Sequence, residues 1–137
     1  MFYYLRKYPI SLSIVAVVIY LSFFKPPSLE VSRIVGIDKL AHICMYAGLS
    51  GMLWLEFLHN HRKYDDLLWH AWIGAVLCPI LMSGAIELLQ EFCTAHRGGD
   101  WFDLLANICG VALATFFAYF FLRPWMMKRK KRKTGIH

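Results

Sequence analysis

Apolar residues fill four long stretches of this chain, and charged residues are confined to the gaps between them. The stretches are 8–24, 40–55, 67–86 and 104–122. A helix that crosses a bilayer takes roughly 17–25 residues. The first, third and fourth stretches reach that length. The second does so only if His42 and Glu56 lie at the two interfaces, as their positions suggest. Lipid offers no partner to open backbone groups, so all four are expected to be helices. The pattern predicts an all-α fold, a four-helix transmembrane bundle. A single domain is expected over 1–137, with its core at 38–122 and a basic tail from 123 onward.

The breaks between the stretches carry their own signals. Arg6 and Lys7 precede the first stretch like the start of a signal peptide. "LSFFKPP", however, lacks a small-residue cleavage pattern, and the stretch reads as a retained helix. Pro26 and Pro27 stop that helix, and "SLEVSRIV" is expected to form a short outer loop helix. The inner turn "HNHRKYDD" reads as solvated rather than metal-binding. Pro79 predicts a kink in the third helix. Ala106, Gly110, Ala114 and Ala118 form a small-residue stripe that lets neighbouring membrane helices approach closely, and Gly48 and Gly51 read the same way.

Composition agrees with a membrane protein. The chain is 58% hydrophobic with a mean hydropathy of +0.46, against roughly 45–50% apolar residues in soluble domains. Cys44, Cys78, Cys93 and Cys109 have no metal-type spacing and are expected to be small buried hydrophobes. The 15 basic residues divide eleven to four between the two sides of a four-span topology. Arg6, Lys7, Arg62, Lys63, Arg123 and the six basic residues of 128–133 share one side. Lys25, Arg33, Lys39 and Arg97 share the other. The richer side is expected to be cytoplasmic, with both termini there, in a multi-pass protein of the inner membrane. The basic tail is read as an anchor for anionic lipid rather than for nucleic acid.

Polar residues gather at the outer ends of three helices. Asp38 and His42 are four apart and share a helix face. Glu87, Gln90 and Glu91, at offsets of zero, three and four, are expected to share a face at the outer end of the third helix. Asp100, Asp103 and Asn107 open the fourth, and Arg97 lies in the turn between. Each residue has an ordinary explanation. Asp38 and Asp100 suit N-caps. Asp103 suits the positive end of a helix dipole. Asn107 suits interhelical hydrogen bonding. The convergence of so many on one membrane face favours a pocket, because intramembrane charge is costly and usually paired or functional.

The order "DKLAH", "ELLQEF", "HRGGDWFDLLANICG" resembles the VanZ-like family of small bacterial membrane proteins. Asp38, Lys39 and His42, then Glu87 and Gln90, then Arg97, Asp100, Asp103, Asn107 and Gly110 fill the family pattern. The resemblance implies a role at the cell envelope, since the family takes its name from a protein associated with low-level resistance to the glycopeptide teicoplanin. It marks a site without naming a substrate. In the expected site Asp38, His42, Glu87 and Asp103 are the candidate catalytic groups. Lys39, Gln90, Arg97, Asp100 and Asn107 are the candidate binding groups. His42 with Asp38 suits an oriented general base, Arg97 a grip on phosphate or carboxylate, and the carboxylates a divalent cation. The expected ligand is an envelope lipid headgroup or a glycopeptide. Two other readings stand beside this one: a structural or partner-binding protein whose polar cluster staples helices, and a small transporter relaying through Glu87 and His42.

Overall fold

The computed structural model describes residues 6–24, 36–60, 68–93 and 100–134, apart from the side chains of 93, 130, 131, 133 and 134. The expected outer loop helix, the inner turn from residue 61 onward and Arg97 lie outside the described residues. Helix α1 is Pro9–Phe23 and α2 is Ile37–Asn60. Helix α3 is continuous through Leu68–Trp72, Ile73–Leu77 and Cys78–Cys93, and α4 through Trp101–Phe117, Ala118–Leu122 and Arg123–Thr134. Helices α2, α3 and α4 are long and apolar enough to cross a membrane, whereas α1 has 15 residues and is shorter. Pro9 opens α1, and Phe24 leaves helical geometry at its end.

The radial pattern differs from that of a soluble protein in what it exposes and in the polar groups it buries. In α4 the buried residues include Asp103, Ala106, Asn107, Gly110, Val111 and Thr115. Leu113, Phe116, Phe117, Phe120 and Phe121 point outward. In α1 the buried residues are Ser11, Val18 and Ser22, with Leu12, Val17, Ile19 and Leu21 exposed. Polar groups turned inward and large apolar ones turned outward is the arrangement that lipid demands. Cys44, Cys78 and Cys109 are exposed, not buried as expected. A thiol is apolar enough for a lipid-facing surface, so hydrophobicity did not reveal which way it points.

Close packing of α2 on α4 organises the bundle. A Cβ added at Gly110 would collide with the Ile43 carbonyl and come within 3.0 Å of the Ala47 amide nitrogen. Only glycine permits this approach. The expected counterpart at Gly48 faces open space, and Gly51 makes an ordinary 3.9 Å contact with Ala114. Helix α2 begins after Gly36, which has φ +106°, a backbone conformation that L residues rarely adopt.

Both long proline-bearing helices absorb their prolines in a π-helical turn. Ile73–Leu77 precedes Pro79 and Ala118–Leu122 precedes Pro124. At the first, Cys78 N–H reaches back five residues to Ile73 O. Pro79 has no N–H to offer Ala75 O, the carbonyl four residues back. Ser50 Oγ of α2 donates to that carbonyl at 2.7 Å. The proline therefore fastens α3 to α2 by leaving an acceptor for it.

Helix α1 is held at both ends. Glu56 of α2, buried, accepts from Ile10 N at 3.0 Å, Ser11 N at 3.2 Å and Ser11 Oγ at 2.5 Å. These are unsatisfied donors of the α1 N-terminus, met by a carboxylate where the helix dipole favours one. Glu56 thus faces into the bundle at the start of α1. At the other end Gln90 Nε2 of α3 donates to Ser22 O at 2.7 Å. A cleft of about 350 Å³ remains between α1, α2 and α3, lined by Ser11, Leu12, Val15, Leu53, Pro79 and Met82 among others.

Gly110→Ala should lower the stability of the detergent-solubilised protein by about 1–3 kcal/mol, the usual cost of overpacking. Gly48→Ala should leave it unchanged. Thermal unfolding of the two purified variants beside the parent checks both.

Candidate functional site

The α2–α4 contact brings two polar helix starts side by side. Asp38, Lys39 and His42 occupy the first turns of α2. Asp100 caps α4, its side chain accepting from Phe102 N at 2.9 Å. Asp103 lies in the first turn of α4 and Asn107 one turn on. Asp38 sits within the first turn of α2 rather than ahead of it, so it is not an N-cap. Its carboxylate still favours the helix N-terminus through the dipole.

Lys39 joins the two helices. Its Nζ lies 3.2 Å from Asp100 Oδ2 and 3.2 Å from Asp103 Oδ1. It also sits 5.4 Å from the centroid of the Phe102 ring. The Lys39 and Asp100 side chains are nearly half exposed, at 43% and 46%, while Asp103 is 10% exposed. The mouth of the site is therefore reachable and its floor is not.

Below the mouth the contacts become buried. The second oxygen of Asp103, Oδ2, lies 3.5 Å from His42 Nε2. His42 Nδ1 pairs with Asn107 Oδ1 at 3.0 Å. Asn107 Nδ2 donates to Ser83 Oγ of α3 at 2.7 Å, and the Tyr46 hydroxyl is hydrogen-bonded to the same serine. Because the Asn107 amino group is directed at Ser83, its oxygen is left to accept from His42. This assigns the Nδ1 proton to the bond with Asn107 and turns Nε2 toward Asp103. Glu87 reaches the mouth from α3, where its Oε2 accepts from Asp100 N at 3.1 Å.

Most of the expected site thus comes together: Asp38, Lys39, His42, Glu87, Asp100, Asp103 and Asn107. Gln90 does not join them; it is buried against α1. Glu91 is exposed, so the three polar residues at the end of α3 fan out rather than share one face. Ser83 and Tyr46 were not expected. Their signal was present: Asp38, His42, Tyr46, Ser50 and Trp54 recur every fourth residue, and Ser83 lies four before Glu87.

Chemically, the cluster offers an imidazole fixed between a carboxylate and an amide, a reachable ammonium, and several carboxylates around them. A carboxylate oxygen of Asp38, a ring nitrogen of His42 and a carboxylate oxygen of Asp103 lie within 4.8 Å of one another. Such a set suits proton transfer or cation binding.

A bundle of apolar helices with a buried polar cluster at one end defines a small polytopic membrane protein. The family model described as VanZ/LLP1 matches residues 1–123. The chain belongs to that family. Neither the curated proteins nor the solved structures give a match.

The Phe102 amide, more than Lys39, holds the Asp100 carboxyl below the ordinary carboxylate range, against a smaller opposing effect of burial. A depressed carboxyl contributes stability above its unfolded value of about 3.9 and loses it as pH falls through the folded value. The Asp100 contribution should therefore be constant from neutral pH down to about 4 and vanish below. Melting temperatures of the parent and Asp100→Asn should differ at neutral pH and converge in acid.

Proposed function

We propose that this chain binds, and acts on, the headgroup of a phosphate-bearing envelope lipid at the polar end of its bundle. The observation that carries this reading is the graded site itself. A half-exposed Lys39–Asp100 mouth lies over a buried Asp103–His42–Asn107–Ser83 line. A network that served only to join helices has no need of a reachable charged mouth. The apolar outer surface of the helices delivers a lipid substrate laterally, and the ammonium of Lys39 meets its phosphate. His42, oriented by Asn107, is the candidate proton carrier, with Asp103 and Asp38 beside it.

In this reading the polar end faces outward, and the basic C-terminal helix faces the cytoplasm, following the eleven-to-four division of basic residues. The family's link to glycopeptide resistance supports an envelope role, and a glycopeptide is the alternative ligand. The structural reading is favoured by Gln90, whose one bond described here joins α3 to α1. Transport has less support: Glu56 is engaged in capping α1, and His70 faces outward.

Purified parent, His42→Ala and Lys39→Ala should be compared at equal folded concentration for retention of anionic phospholipid over phosphatidylcholine by native mass spectrometry. Lys39→Ala should reduce the preference at least tenfold. Any lipid-phosphate turnover should disappear in His42→Ala while binding persists. Equal lipid preference in all three proteins would reject the reading in favour of a structural cluster.

A further inference from the structure

We infer that Asp38, His42 and Asp103 form a divalent-cation site. The site stands on its own geometry, while its use in taking a lipid phosphate rests on the function proposed above.

The first argument is distance. His42 Nε2 and Asp103 Oδ2 are 3.5 Å apart. A charge-assisted N–H···O bond is shorter, about 2.7–2.9 Å. Two ligands of one tetrahedral metal, each bonded at about 2.1 Å, stand about 3.4 Å apart. The pair is thus separated like co-ligands of one ion rather than like hydrogen-bonded partners. The third ligand is in reach, since all three donor atoms fall within 4.8 Å of one another.

The second argument is the histidine's orientation. A metal-bound imidazole generally donates its other ring N–H to a carbonyl or carboxylate. His42 has that partner in Asn107 Oδ1 at 3.0 Å, and Asn107 is fixed in turn by Ser83 at 2.7 Å. Held this way, the His42 ring turns Nε2 toward Asp103 Oδ2, and both side chains are about nine-tenths buried.

The third argument is the role of Lys39. Its ammonium takes Asp103 Oδ1, the oxygen turned away from His42. Lys39 and the cation therefore bind opposite oxygens of one carboxylate and repel each other at close range. One imidazole and two carboxylates suit Zn²⁺ or Fe²⁺, and Mn²⁺ through the carboxylates, better than Ca²⁺, which takes about six to eight oxygen ligands. Three protein ligands leave coordination positions open. These would accept a phosphate oxygen that the carboxylates alone would repel.

The test uses the full chain in detergent with Mn²⁺ and Zn²⁺ alone, without lipid. Titration calorimetry should show one ion per chain. Asp103→Asn and Asp38→Asn should each weaken it at least tenfold, and so should His42→Gln. Glu91→Gln, exposed and away from the cluster, should bind as the parent does. Lys39→Gln should bind more tightly, by severalfold, because the competing ammonium is gone; this variant keeps the proposal testable if a ligand variant fails to fold. No saturable binding by the parent overturns the site. So does binding that is indifferent to His42→Gln, or that weakens in Lys39→Gln. Metal binding without any lipid preference would leave the site standing and reject the lipid function; lipid preference without metal binding would do the reverse.

Discussion

The polar end of this protein depends on how closely α2 and α4 approach at Gly110. Inside a bilayer a polar side chain has no water to fall back on, so its partner must be on a neighbouring helix. Side chains as short as Asp, Asn and Ser bridge helices only where the backbones are close. Gly110 supplies that closeness beside Ile43 and Ala47. Toward the start of α4, about one and two turns before that contact, lie the His42–Asn107 pair and the Asp103 carboxylate.

The remaining helices are attached by carbonyls and termini that would otherwise be unsatisfied. Pro79 deprives Ala75 O of its donor, and Ser50 replaces it. The α1 N-terminus is met by Glu56, and Gln90 meets a carbonyl in its last turn. These attachments use side chains at the far end or on the α1 side of the bundle. They use other side chains than the Lys39–Asp100, Lys39–Asp103 and His42–Asn107 contacts at the starts of α2 and α4. This division of labour is the physical reason for treating the polar end as a site distinct from the scaffold.

The sequence made the helices and most of the cluster legible for different reasons. Uninterrupted apolar runs identify membrane helices because length and lipid leave no alternative. Charged residues such as Asp38, Lys39, Asp100 and Asp103 stand out because they are rare among such runs. Tyr46, Ser50, Ser83 and Thr115 were harder to read, because small or amphipathic side chains pass as filler until the facing helix is known. The every-fourth-residue row on α2 also turns by about 40° per step. It meets α4 at His42 but α3 at Tyr46 and Ser50, and no spacing rule announces that change of partner. Cys44, Cys78 and Cys109 were misread because lipid and core are equally apolar. Gln90 went to α1 because a three-residue step moves a side chain about 60° round the helix from Glu87.

The central claim is that the polar end works rather than merely fastens. Sites arranged for function commonly carry a stability cost that conservative substitution relieves. The most direct measurement is the melting temperature of purified Asp38→Asn against the parent, without added metal. A working site predicts an unchanged or higher melting temperature, because relief of crowded carboxylates outweighs the roughly 0.3–1 kcal/mol that the Asp38 charge contributes at the helix N-terminus. A fall of several degrees, comparable to that of Gly110→Ala, would contradict it and make the cluster a staple.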